Sequence, residues 1–136
     1  EFLALAESFA HLSQTKNNKK AKILADTLDK ATGKLMDNRN TPGRELGELD
    51  NAGSHVYEAM YWAQELAAQN DDQDLKKQFV PIAKELESKI DTILEEIKAA
   101  KGRAQDIGGY YRPDPVKVKV AMRPSTTLNA ILDRLA

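Results

Sequence analysis

Hydrophobic positions recur at helical spacing along most of the chain. Phe2, Leu5, Phe9 and Leu12 fall on one face and predict a helix over 1–13. Leu24, Leu28, Ala31 and Leu35 do the same for 18–35, with Gly33 weakening its end. From 37 to 49 the period breaks, and Asn38, Asn40, Thr41, Pro42, Gly43 and Gly47 mark an extended loop. Loops of that length inside a compact domain are often functional. The third helix is expected over 53–69, on the stripe Val56, Met60, Ala63 and Ala67, with Ser54 as its cap. Tyr57, Tyr61 and Trp62 widen that stripe and predict burial on more than one side.

The longest pattern follows. Leu75, Phe79, Ile82, Leu86, Ile90, Ile93 and Ile97 predict a helix over 72–101, with Pro81 requiring a kink or a restart and Gly102 as the stop. The stretch 106–113 is rich in glycine and aromatic residues and has no period. Val116, Val118 and Val120 alternate with polar positions in the manner of a strand, yet Asp114-Pro115 is a helix start, which favours a short helix over 115–122. Ser125 then caps a closing amphipathic helix over 125–135 through Leu128, Ile131, Leu132 and Leu135. The fold class expected is mainly α, with about five to six helices and long loops.

Composition narrows the function classes. Twenty basic and 21 acidic residues leave a net charge of -1 and no clustered basic footprint, so no nucleic-acid partner is expected. No apolar run reaches the roughly 20 residues that cross a bilayer, and no signal-peptide pattern is present. Cysteine is absent, which removes disulfides, thiolate nucleophiles and sulfur ligands and makes a cytoplasmic setting the expectation. The chain opens directly on an apolar helical pattern at Glu1-Phe2-Leu3, as either a trimmed sequence or an interrupted helix would.

Candidate chemistry is sparse. His11 and His55 are the only histidines and lie on separate helices, without metal-ligand spacing. Ser54 beside His55 lacks a nucleophile elbow, and Gly108-Gly109 lacks the spacing of a phosphate loop. The pairs Asp71-Asp72 and Glu95-Glu96 stand near lysines and are expected to be solvated. The arginines are more informative: Arg44 sits in the long loop, and Arg112 and Arg123 each precede a proline. A guanidinium on a constrained loop suits phosphate or carboxylate, against the plainer expectation of a surface ion pair.

Several strings together carry a resemblance. They are the opening 1–6, the run 24–34, Leu49-Asp50-Asn51, Gly53-Ser54-His55, Tyr61-Trp62-Ala63, 66–69, Asp106-Ile107-Gly108-Gly109-Tyr110-Tyr111 and Met122-Arg123-Pro124-Ser125. In order and in register, the chain resembles the C-terminal end of the monomeric-type NADP-dependent isocitrate dehydrogenases. That resemblance implies a two-domain enzyme with an α/β large domain, of which residues 1–136 would form the last part. It implies oxidation and decarboxylation of isocitrate to 2-oxoglutarate with NADP and Mg2+ or Mn2+. The remainder of the same chain would be the partner of this segment, which would be inactive alone.

The isocitrate, metal and principal adenosine-phosphate contacts of that family precede the matching region, so neither a catalytic residue nor a metal ligand is expected here. One cofactor residue carries over: the arginine of a Pro-x-Arg before the Asp-Asn-x-Gly-Ser-His string, which is Arg44 after Pro42, is expected to contact the NADP 2′-phosphate. Two departures stand beside it. Ala52 replaces the usual arginine between Asn51 and Gly53, which bears on NADP preference, and Gly43 replaces the usual serine or alanine. The rival expectation is a stand-alone helical interaction module without catalytic activity.

Overall fold

The computed structural model describes residues 1–45 and 47–135; Leu46, within the long loop, and Ala136, the last residue of the segment, lie outside the described residues. Among the described residues six α-helices and a closing 3-10 turn make up the regular structure, which is mainly α. They are α1 (Phe2–Lys16), α2 (Lys19–Asp37), α3 (Asn51–Ala68), α4 (Gln73–Ala99), α5 (Pro115–Met122) and α6 (Thr126–Leu132), with the turn at Asp133–Leu135. The chain divides into two compact units, Glu1–Ser88 and Lys89–Ala136, and α4 begins in the first and ends in the second.

In the first unit α1 packs on α2, and α2 on α3. The α1–α2 turn needs only two residues because each asparagine supplies a different cap. Asn17 takes the left-handed conformation at φ 49° and donates its N–H to the Ser13 carbonyl, closing α1. Asn18 Oδ1 then accepts the Ala21 N–H at 3.1 Å and opens α2. The α2 face at Ala21, Ala25, Leu28, Ala31 and Leu35 is buried, as are Val56, Met60, Ala63 and Leu66 on α3. Between these faces, Trp62 Nε1 donates to Thr27 Oγ1 at 3.0 Å and Phe9 lies 6.0 Å from the Trp62 ring.

The expected α1 stripe is corrected. Ala6 is the buried residue of α1, while Leu5 and Leu12 remain exposed and Phe2 and Phe9 are half-buried. The small side chain is the one fully covered, and the two aromatic residues reach His55 and Trp62 on α3. The turn before α4 is held by Gln69, whose Oε1 accepts the Asp72 N–H at 2.9 Å and whose Nε2 donates to the Asp72 carbonyl at 2.8 Å. Asp72 Oδ1 in turn accepts from Asp74 N and Leu75 N, capping α4. Pro81 does not restart the helix: α4 runs through it, with the proline at an exposed position.

In the second unit Ile93, Ile97 and Ile131 are buried. The valine alternation does not become a strand. Asp114 Oδ1 accepts from Val116 N at 2.8 Å and Lys117 N at 3.0 Å, and Pro115 occupies the first turn, so α5 starts where the cap sets it. The Gly108-Gly109 bend has φ of 83° and 136°, and a Cβ on Gly108 would lie 2.9 Å from Asp114 Cβ. That bend is steric, as its place beside two tyrosines suggests. No helix among the described residues is long and apolar enough to cross a membrane.

Candidate functional site

The long loop is bounded by two well-defined helix ends. At its start Arg39 adopts φ 57°, its N–H meets the Met36 carbonyl, and Asn40 N–H returns to the Leu35 carbonyl. This paired 5→2 and 6→1 pattern is a Schellman closure made without glycine. Asn38 and Asn40 then both donate side-chain N–H groups to Tyr61 Oη, at 3.2 and 2.7 Å. Tyr61 is buried on α3, so the first residues of the loop are tied to the helix that follows it. At the far end Asp50 Oδ1 accepts the Gly53 N–H at 2.9 Å as the N-cap of α3.

The middle of the loop is closed on itself. Gly43 N–H donates to the Leu49 carbonyl at 2.8 Å, and Glu48 N–H to the Glu45 carbonyl at 3.3 Å. Glu48 Oε2 accepts the backbone N–H groups of Arg44 at 2.8 Å and Glu45 at 3.0 Å. Arg44 is exposed, and its guanidinium has no ion-pair or hydrogen-bond partner among the described residues. A fork of donors on a loop braced at both ends and in the middle can take a phosphate bidentately. The surface ion pair that was the plainer expectation for Arg44 is not formed among the described residues. Arg123 does form one, with Asp133 at 3.7 Å, while Arg112 is exposed on the segment before α5.

Ser54 and His55 do not make a catalytic pair. His55 Nδ1 lies 2.6 Å from the Asn51 carbonyl, Nε2 lies 2.9 Å from Glu1, and the ring meets Phe2 edge-on at 4.9 Å. His11 is exposed near the end of α1. The expectation that Ser54 caps α3 is corrected: α3 starts two residues before Gly53, Asp50 is the cap, and Ser54 is buried inside the first turns. Aspartate at 50 offers a charged acceptor to the free N–H groups, which a serine deeper in the helix cannot reach.

Glu58, one turn after Ser54, is also buried; its Oε1 accepts from Thr32 Oγ1 at 2.7 Å. Neither Ser54 Oγ nor Glu58 Oε2 has a hydrogen-bond partner among the described residues. Burial pushes the Glu58 carboxyl above its ordinary value, against the smaller opposing effects of the Thr32 hydrogen bond and His55. The folded state therefore holds this proton to higher pH than the unfolded state does. Its contribution to stability is complete below the ordinary glutamate pKa and is lost as pH rises through the raised folded value. Glu58→Gln keeps an acceptor for Thr32 and removes the buried charge. The variant is expected to gain stability relative to the parent as pH rises from 4 to 8, measured as the difference in urea midpoints. A constant difference across that range would contradict the assignment.

The acidic pairs depart from simple solvation. Asp72 caps α4 and faces Lys20 at 3.9 Å. Glu96 is half-buried and accepts from Ser125 Oγ at 2.5 Å, Thr127 Oγ1 at 2.8 Å and Thr127 N at 3.1 Å. The Ser125 and Thr127 hydroxyls lower its pKa, and the carboxylate completes the N-terminus of α6 beside the Ser125 cap. Among the described residues no group of three or more His, Asp or Glu side chains could hold a metal ion. The described residues thus offer no site for the Mg2+ or Mn2+ that the resemblance implies for the longer enzyme.

Comparison with known proteins places these features in a family. The model for monomeric isocitrate dehydrogenase matches residues 1–133. The chain is 52% identical over 136 residues to the NADP isocitrate dehydrogenase of Azotobacter vinelandii, covering 100% of this chain and 18% of that protein. It is 52% identical over 135 residues to NADP isocitrate dehydrogenase 2 of Colwellia maris, covering 99% of this chain and 18% of that one. The corresponding protein of Mycobacterium tuberculosis is 50% identical over 133 residues, at 98% and 18% coverage. The chain spans under a fifth of the length of these relatives.

Proposed function

Because the chain belongs to the monomeric isocitrate dehydrogenase family, we propose that it completes the α/β large domain of an NADP-dependent enzyme as its C-terminal segment. That enzyme oxidises and decarboxylates isocitrate to 2-oxoglutarate, and this segment contributes Arg44 to the NADP 2′-phosphate site. The observation that carries the assignment is the loop geometry: a guanidinium without a partner among the described residues, on a backbone pinned by Tyr61, Glu48 and Asp50. The 2′-phosphate is dianionic near neutral pH and is the group that separates NADP from NAD, so a fixed arginine beside it favours NADP. Mg2+ or Mn2+ would supply Lewis-acid polarisation of substrate oxygens, through ligands from other parts of the longer chain. The stand-alone module has no supporting observation beside a family match over 1–133. A cytoplasmic setting, in keeping with the absence of cysteine, belongs to the same reading.

The other parts of the enzyme are then the partner of this segment, and isocitrate and NADP meet it only in the intact enzyme. The test compares two proteins. An enzyme containing this segment at its C-terminal end is expected to reduce NADP in the presence of isocitrate and Mg2+, with little reduction of NAD. The 136-residue chain alone is expected to produce no isocitrate-dependent absorbance at the NADPH wavelength. Turnover by the isolated chain, or a longer enzyme indifferent to isocitrate, would overturn the proposal.

A further inference from the structure

The Glu48 carboxylate has no place in the family resemblance, yet it sets the backbone from which Arg44 projects. Resting on the reading of Arg44 as the 2′-phosphate contact, we propose that Glu48 is a positioning residue for cofactor discrimination. Two successive N–H groups, of Arg44 and Glu45, converge on the single oxygen Glu48 Oε2. Convergent backbone N–H groups of this kind form a small anion-binding nest. Here the anion is internal, so the nest is filled by the chain's own carboxylate and the peptide at Arg44 is held in one orientation.

Gly43 makes that arrangement possible. A Cβ at position 43 would lie 2.5 Å from Glu48 Cβ and 2.7 Å from Glu48 Cδ, closer than real contacts of this kind. Any side chain there would drive Glu48 out of the nest. The glycine that departs from the usual serine or alanine is therefore matched to an inward-turned glutamate, and the freedom it adds to the loop is removed again by two charge-assisted hydrogen bonds. Gly47, at φ 94°, supplies the reversal that brings residue 48 back towards residue 44.

Positioning predicts a selective effect. In the intact enzyme, Glu48→Ala should raise KM for NADP by roughly 3- to 10-fold, the range expected when an exposed, charge-assisted brace is lost. KM for isocitrate and kcat should stay within about 2-fold, and KM for NAD should not move, because NAD lacks the phosphate that Arg44 meets. Glu48→Gln retains an acceptor oxygen and should recover most of the NADP affinity. In an Arg44→Ala background, adding Glu48→Ala should cause no further change, since its effect passes through Arg44. If Arg44→Ala raises KM for NADP while Glu48→Ala leaves it unchanged or lowers it, the positioning role is wrong and the Arg44 assignment stands. If neither substitution matters, both fall together. Equal weakening for NADP and NAD would assign Glu48 to general loop stability and also overturn the proposal.

Discussion

Arg44→Ala in the intact enzyme is expected to lower kcat/KM for NADP by about 10- to 100-fold while leaving kcat/KM for NAD nearly unchanged. The magnitude follows from a charged, bidentate contact, whose loss costs about 1.5–3 kcal/mol. The selectivity follows from chemistry: only NADP carries the 2′-phosphate, so removing the guanidinium withdraws stabilisation from one cofactor and not the other. Arg44→Lys separates charge from geometry. An ammonium keeps the charge but loses the planar fork, so an intermediate loss is expected. Because Arg44 is exposed and its guanidinium has no partner among the described residues, neither substitution should alter the melting temperature by more than about 1 °C. A variant that loses NADP and NAD activity in parallel would point to a folding defect and contradict this account.

Leu28→Ala should cost about 2–5 kcal/mol of folding stability. Leu28 is 1% exposed at the middle of α2, the helix that packs on both α1 and α3. Truncation there removes buried methyl groups and leaves a cavity between helices that can collapse only in part. Leu3, 50% exposed on α1, serves as the control, and Leu3→Ala should fall within about 0.5 kcal/mol of the parent. Urea unfolding of the 136-residue chain, followed by far-UV circular dichroism, checks both. Similar losses for the two variants would mean that α2 is not the centre of the first unit.

The parts of this fold legible in the sequence were those with a local cause. The seven apolar positions of α4 include buried Ile82, Leu86, Ile93 and Ile97, because their spacing reports one face directly. Asp114-Pro115 set the start of α5 against a strand-like valine alternation, because a side-chain cap acts within three residues. What was hidden depended on partners far along the chain. Periodicity marked Leu5 and Leu12 as one face with Phe2 and Phe9, but which stripe of α1 is covered depends on its tertiary neighbours, and the buried residue is Ala6. The start of α3 shifted because Asp50 and Ser54 are both good cap residues and only tertiary placement decides between them.

The candidate site divides in the same way. The expectation for Arg44 rests on the resemblance, and its setting in a loop marked by Pro42, Gly43 and Gly47 is plain in the sequence. Glu48 was not: a loop glutamate four residues from an arginine looks solvated, and nothing local shows it turning back onto two N–H groups. The nearest clue was Gly43, whose missing Cβ leaves the space that Glu48 fills. Glu58 and Glu96 were hidden for a related reason, since their partners Thr32, Ser125 and Thr127 lie 26 to 31 residues away.

Ligand competition tests the proposed recognition of the 2′-phosphate by Arg44 most directly, without depending on the chemical step. In the intact enzyme, 2′,5′-ADP and 5′-AMP differ in the 2′-phosphate, and each can be assayed as a competitor of NADP. The parent enzyme should bind 2′,5′-ADP far more tightly than 5′-AMP, and Arg44→Ala should shrink that preference by about 10-fold or more without changing 5′-AMP binding. An Arg44→Ala enzyme that keeps the full preference for 2′,5′-ADP would contradict the account.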